Sequence, residues 1–293
     1  MDYSIENEFL KVTVTTNGAQ LKSVLRKSDG VEHMWQADPS VWGYHAPILF
    51  PHAGKLKNAQ LDAKGKTYSG CKPHGFARNL EHSLVCCEDQ TIVLELVDSE
   101  QTLALWPYKF RLVSTFTLEG DTVHHTLTVE NHDEEEMPFG IGYHPAFALP
   151  FDQGHTFADY ELRFDSLESP LCLGVSPNGL IADTVYRIGS NINTIAVDEH
   201  LFDNDSHCMT GLSSRTLGLY EKDTGRGVVC AIKSFPYVLI WSKPGEPKFI
   251  CIEPWNSLPS PENGGTDWNE KPAAAILNPG QEWSTTLTMS FVR

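Results

Sequence analysis

Alternation of apolar and polar residues with a period of two most constrains what this chain can fold into. In a strand, successive side chains point to opposite faces, so apolar residues at every second position give one buried face. Leu10, Val12 and Val14 alternate with Lys11, Thr13 and Thr15, and Asn17-Gly18 follows as a turn. Phe110, Leu112, Ser114, Phe116 and Leu118 alternate with Arg111, Val113, Thr115 and Thr117; Glu119-Gly120-Asp121 then turns the chain, and residues 123–129 return. That is the signature of a hairpin. Residues 217–221 and 228–232 flank an Asp223-Thr224-Gly225 turn, and residues 237–241 and 248–253 flank a Pro- and Gly-containing turn. Leu287, Met289 and Phe291 mark a closing strand. Helical periodicity is scarce: residues 99–105 suit one or two turns, stopped by Pro107, which cannot continue a helix.

Many short strands separated by turns predict an all-β fold, a sandwich or a barrel. The 22 glycines and 18 prolines are spread along the chain, and no internal repeat or low-complexity tract interrupts it. A single β domain over residues 1–293 is therefore expected. The acidic run Asp133-Glu134-Glu135-Glu136 reads as a solvated loop. Residues 257–275, rich in Pro, Gly and Asn, read as a long loop of the kind that often carries function.

Composition excludes several partners. Lys plus Arg is 22 against 38 Asp plus Glu, a net charge of −16, and so acidic a chain is ill suited to nucleic acid or to an anionic membrane. No apolar stretch approaches the length of a membrane span, and the Met1-Asp2-Tyr3-Ser4 start lacks the basic and apolar regions of a secretory signal. The seven cysteines are scattered, with no C-x-x-C pair, so reduced thiols in a cytoplasmic protein are expected.

Phosphate-binding loops, dinucleotide fingerprints, zinc-protease and nucleophile-elbow motifs are absent. Four clusters stand out. An apolar run ends at Phe50-Pro51-His52-Ala53-Gly54-Lys55; Lys72-Pro73-His74-Gly75-Phe76-Ala77-Arg78 sets a His before a Gly; Gly142-Tyr143-His144-Pro145 holds a His between Gly and Pro; and Phe249-Ile250-Cys251-Ile252-Glu253-Pro254-Trp255 ends an apolar strand in a carboxylate. A charge so placed is costly to bury without a partner or a task, which makes Glu253 the sharpest candidate. His52 alone reads as a hydrogen-bonding residue, and the histidines outside these clusters read as surface or loop residues. One carboxylate and two imidazoles with cations nearby suit proton transfer. Free Glu titrates near pH ~4.3 and free His near ~6.5, so a Glu⁻/His⁺ pair at neutral pH needs modest tuning.

The sequences H-G-F-A-R at 74–78, G-Y-H-P at 142–145 and C-I-E-P-W at 251–255, in that order, resemble the aldose 1-epimerase (galactose mutarotase) family, its bacterial branch associated with sugar operons. The resemblance runs from Asn7-Glu8-Phe9-Leu10 to Pro279-Gly280-Gln281-Glu282 and the last strand. It implies a large antiparallel β-sandwich of the galactose mutarotase type, whose concave face holds a sugar. It implies interconversion of the α and β anomers of free aldoses without cofactor or metal. Carried over by motif, Glu253 resembles the general base, His144 the general acid, and His74 a second histidine that binds the sugar near its ring oxygen. Arg78 falls within the shared motif as a substrate-binding cation. Lys55 stands where the family has an Arg, and Lys cannot give the same bidentate contact. Asp203, in Leu201-Phe202-Asp203-Asn204-Asp205, is the counterpart of the family's substrate-binding Asp. Trp255 and Phe235 suit either sugar stacking or core packing.

Free hexoses are the expected substrates. Lys55, Lys57, Lys72 and Arg78 contain one Arg, whereas phosphate sites usually gather several; Lys271 in the long loop is a further cation. The alternatives are a hexose-6-phosphate 1-epimerase, a non-catalytic carbohydrate-binding protein, and a metal enzyme using His52, His74 and His144. A monomer or homodimer is expected.

Overall fold

The structure is a computed structural model and describes residues 1–292. Its elements follow from the alternation. Strands Phe110–Glu119 and Thr122–Asn131 pair antiparallel, and each buries every second residue. Glu282–Val292 pairs with the other edge of Thr122–Asn131. Outward from these three, a nine-stranded sheet extends through Gly227–Ala231, Thr216–Glu221, Tyr160–Glu168 and Ile192–Ala196 on one side and through Thr91–Val97 and Ser83–Glu88 on the other. A second, eight-stranded sheet runs from Ile181–Arg187 through Leu171–Val175, His207–Thr210, Tyr237–Trp241 and Phe249–Trp255 to the short strands Gly142–Tyr143 and Ile48–Leu49, with Ala146–Ala148 also pairing with Phe249–Trp255. The N-terminal meander Asp2–Glu6, Leu10–Thr15, Gln20–Arg26 forms a third sheet. All named pairs among the described residues are antiparallel, the all-β sandwich expected from the sequence. The one short α-helix among the described residues, Glu100–Leu103, starts at a Ser99–Thr102 capping box, which satisfies two N-terminal backbone donors.

The two large sheets face each other across one apolar core. Leu127, Val129, Leu287 and Met289 from the first share it with Val238, Ile240, Ile250 and Ile252 from the second. The Tyr143 hydroxyl lies 2.8 Å from the carbonyls of His125 and Thr285, which ties the short strand Gly142–Tyr143 of the second sheet to the middle of the first. Phe249–Trp255 is buried along its whole length. Covered on both faces, it reads in the sequence as a continuous apolar run rather than an alternation.

The histidines correct one expectation. His33, His82 and His125, outside the four clusters, are core residues at 0%, 1% and 3% exposure, not surface ones. Each sits where the alternation or a turn faces inward. His125 stacks on its cross-strand partner Phe116, with ring centroids 4.0 Å apart. His33 accepts from Arg26 at 2.6 Å and donates to the Val24 carbonyl.

This burial makes stability depend on pH. Burial lowers the pKa of His33 and His82 to about 4 and that of His52 and His125 to about 3, while in the unfolded chain each titrates near ~6.5. Below ~6.5 the unfolded chain therefore binds protons that the folded chain does not, and stability falls as pH falls. His155 acts in the opposite sense: Asp152, then Asp223, raises its pKa to about 9, so its contribution is full below ~6.5 and is lost as pH rises from there through about 9. The urea midpoint is expected to drop steadily between about pH 7 and about pH 5; a midpoint unchanged across that interval contradicts the buried neutral histidines.

Candidate functional site

Strand register places the central pair. Gly142 pairs with Trp255 and Ala146 with Cys251 on the same strand, so the intervening residue 144 falls opposite residue 253. Pro145 lacks an N–H, and the chain leaves the ladder between the two short strands. His144 therefore projects beside Glu253, with Nε2 3.2 Å from Oε2. The close approach needs Gly142, where an added Cβ would lie 2.7 Å from Trp255. His144 is 6% exposed and Glu253 2%.

His74 reaches the pair from the second cluster. It adopts a left-handed conformation with φ 65°, held by two contacts with one residue. Its N–H donates to the Gly54 carbonyl at 2.8 Å, and the Gly54 N–H donates to His74 Nδ1 at 3.1 Å. A ring nitrogen that accepts carries no proton, so the neutral His74 bears its hydrogen on Nε2. The His74 ring stands edge-on to His144 and to Trp255, at 5.5 and 5.6 Å between centroids. Trp42 stacks on His144 at 4.9 Å, and Trp241 meets it edge-on at 5.7 Å. The pair is thus walled by aromatic rings.

The wall governs charge. Burial, reinforced by the Asp205 carboxylate, raises the Glu253 pKa well above the usual carboxylate range. Burial, then the Arg78 cation, lowers that of His144 to about 3, and burial holds His74 neutral. In the empty site these directions oppose the Glu⁻/His⁺ pairing read from the sequence. They favour a neutral pair, with the proton on the Glu253 carboxyl and an uncharged imidazole at His144. The two forms differ only in which of the two residues holds the proton.

Arg78 is half-buried with its guanidinium 4.6 Å above the Tyr44 ring. Lys55 is exposed and shares a cavity of about 120 Å³ with His74, Asp205 and Trp255. Asp203 does not line that cavity. It is exposed, accepts from His200 at 3.0 Å, and lines an adjoining opening with Asp205, Trp241 and Lys243. Asp205, two residues on, is the carboxylate that acts on Glu253. It stands at φ 74°, a conformation non-glycine residues seldom adopt outside turns. Phe235 packs against Tyr143 in the core, whereas Trp255 lines the cavity. Sequence reasoning missed Asp205, Trp42, Tyr44 and Trp241; the cluster Trp42-Gly43-Tyr44-His45 before the first motif was the available signal.

His52, His74 and His144 do not form a metal-binding group. Among the described residues, the groups with donor atoms mutually within 4.8 Å are His144, Cys251 and Glu253, and Asp152, His155 and Glu221. In the first, burial holds the Cys251 thiol protonated. In the second, Arg226 already bonds to both carboxylates.

Comparison with known proteins places the whole chain in one family. A family model described as aldose 1-epimerase matches residues 1–290. Protein LacX of Lactococcus lactis subsp. lactis is 32% identical over 286 residues, 95% of each chain. A galactose mutarotase related enzyme from Lactobacillus acidophilus superposes with a TM-score of 0.94 at 30% identity, covering 100% of this chain and 98% of that one. A galactose mutarotase-like protein from Lactobacillus casei gives 0.91 at 28% identity over 99% of each. Matched along nearly its whole length in sequence and in fold, the chain belongs to the aldose 1-epimerase family.

Proposed function

We propose that the protein is a mutarotase that interconverts the α and β anomers of free hexoses, with Glu253 as base and His144 as acid. The observation that carries this reading is the buried His144–Glu253 pair at 3.2 Å. Anomer exchange moves protons at two oxygens attached to one carbon, so its acid and base must stand side by side. Sugar hydroxyls entering the site supply hydrogen bonds that stabilise charge, and the pair shifts to its ionised form. The Glu253 carboxylate takes the proton of the C1 hydroxyl while His144 gives its proton to the ring oxygen. The C1–O5 bond breaks, its electron pair goes to O5, and the C1–O1 bond becomes a carbonyl. The C1–C2 bond rotates, and the steps reverse on the other face. Protons and electrons balance without a cofactor, and the pair carries one proton before and after.

His74 presents Nε2–H to a substrate oxygen. Arg78 and Lys55 are the binding cations, and Asp205, which shares the His74 cavity, binds a sugar hydroxyl in preference to Asp203, which does not line it. Lys57 donates to the Gly264 carbonyl and Lys271 to that of Leu258, so neither is spare for a phosphate. This supports free hexoses over hexose 6-phosphates. All seven cysteines are free and five are buried, which supports a reducing, cytoplasmic setting.

Glu253→Gln keeps shape and removes basicity. The rate of α-glucose or α-galactose equilibration, followed by polarimetry, is expected to fall by about 10²-fold or more; a folded variant that keeps most of the rate excludes Glu253 as base. A wild-type protein that binds sugar without accelerating equilibration is a binding protein instead.

The pH profile follows the pair. It gains a second proton only where His144 titrates, far below a free imidazole, and loses its one proton only where Glu253 titrates, above a free carboxylate. The acid limb of kcat/KM is therefore expected well below the free-imidazole value of ~6.5. Asp205→Asn removes the negative neighbour, lowers the Glu253 pKa and moves the alkaline limb to lower pH. An acid limb at the free-imidazole value, or an alkaline limb unmoved by Asp205→Asn, contradicts the assignment.

Substrate preference is read by comparing kcat/KM for α-glucose, α-galactose and α-glucose 6-phosphate in one buffer. The free sugars are expected to be favoured. An advantage of about tenfold for the phosphate ester, some 1.4 kcal/mol, makes the protein a hexose-6-phosphate 1-epimerase.

A further inference from the structure

His52 lies outside the proton-transfer site, yet it is buried at 2% exposure and bonded to the residue that orients His74. The Gly54 carbonyl, which accepts from the His74 backbone at 2.8 Å, also lies 3.1 Å from His52 Nδ1. A carbonyl only accepts, so His52 carries its hydrogen on Nδ1. The N–H of the same glycine donates to His74 Nδ1 at 3.1 Å. One residue thus joins two imidazoles of opposite tautomer: Nδ1–H in His52 and Nε2–H in His74.

We infer that His52 is a positioning residue that, through Gly54, keeps His74 in the tautomer that offers Nε2–H to the substrate. The inference rests on the proposed mutarotase reading for its catalytic consequence, but not for its structural one. Gly54 has φ +66°, and a Cβ on it would lie 2.3 Å from Pro259, so packing leaves its place in the loop no room for another residue. Hydrogen bonds to its carbonyl then decide how its peptide groups point. With both donors present, the N–H and carbonyl of Gly54 grip His74 at Nδ1 and at the backbone. Without His52 the carbonyl keeps one donor, and the N–H that selects the His74 tautomer is less firmly aimed. Lys271 completes the arrangement. Its ammonium is buried, donates to the Leu258 carbonyl and acts on His52. A cation there disfavours imidazolium and keeps His52 neutral, and Trp268 covers the ring edge-on at 6.2 Å.

The test uses the full chain with ¹⁵N-labelled histidine, wild type and two variants. His52→Phe keeps a ring and removes the donor; His52→Asn keeps a donor on a smaller side chain. Signals of His74 are assigned by their loss in His74→Gln. In the wild type, His74 is expected to show a protonated Nε2 and an accepting Nδ1 near pH ~7, where neutral imidazole prevails. In His52→Phe it is expected to become a mixture of tautomers, with kcat reduced roughly tenfold and KM little changed. His52→Asn is expected to recover both the tautomer and most of kcat.

A His52→Phe variant with the wild-type tautomer overturns the inference, whether or not kcat falls, because a rate loss alone signals general loosening. A tautomer change without a change in kcat also overturns it. Should His52→Phe fail to fold, the wild-type spectrum and His52→Asn decide. Nδ1–H on His74 in the wild type, or a His52→Asn variant without the wild-type tautomer, overturns the inference. A wild type that shows the expected tautomer yet does not speed mutarotation refutes the mutarotase reading and leaves the tautomer relay standing.

Discussion

A carboxyl group inside a strand buried on both faces is the constraint on which the site depends. Phe249–Trp255 runs through the second sheet with every residue covered, and Glu253 is its one ionisable carboxyl. Water is excluded, so the group can keep its place only with a hydrogen-bonding partner and a tolerable state of charge. The partner comes from strand pairing. Gly142–Tyr143 and Ala146–Ala148 are held to the same strand in one register, and His144 falls between them. The Tyr143 hydroxyl then fixes this segment to the opposite sheet through two carbonyls. The sandwich core and the acid–base pair are therefore held by the same contacts.

Aromatic walls set the energetics of that pair. Trp42 and Trp241 cover His144, and the resulting low polarity pushes the carboxyl pKa up and the imidazole pKa down. Opposed shifts of this kind keep one proton on the pair over a wide pH range, seated on the carboxyl while the site is empty. In the proposed reaction, hydroxyl groups of a sugar replace the missing water and tip the balance toward charge. On that proposal the site reserves its charge for the bound state, in which the acid and the base are needed.

Around the pair, loops do the orienting. Gly54 and His74 bond to each other twice, and Phe76 and Ala77 donate to the Phe50 carbonyl. The first two sequence clusters are therefore clasped into one unit before any ligand arrives. His52 and Lys271 lie behind this unit, where the buried Lys271 cation helps burial to keep His52 neutral. The segment 257–275 closes over them, and its one short 3₁₀ turn, Trp268–Glu270, contributes Trp268 to the core.

Period-two patterns determine the hairpins locally, because each strand buries one face and each turn carries its own Gly or Asn. That is why Phe110–Glu119, Thr122–Asn131 and the closing strand are legible in the sequence alone. Glu253, His144 and His74 are also legible, since a carboxylate in an apolar run and histidines beside Gly or Pro are locally unusual. Tertiary structure decided the rest. The inward-facing His33, His82 and His125 look like loop residues until packing encloses them, because the charge state of a histidine depends on its surroundings and not on its neighbours in the chain. Asp203 and Asp205 are equivalent as letters in one acidic turn. Only the backbone conformation at Asp205 and the approach of a distant strand single out the carboxylate whose field reaches Glu253.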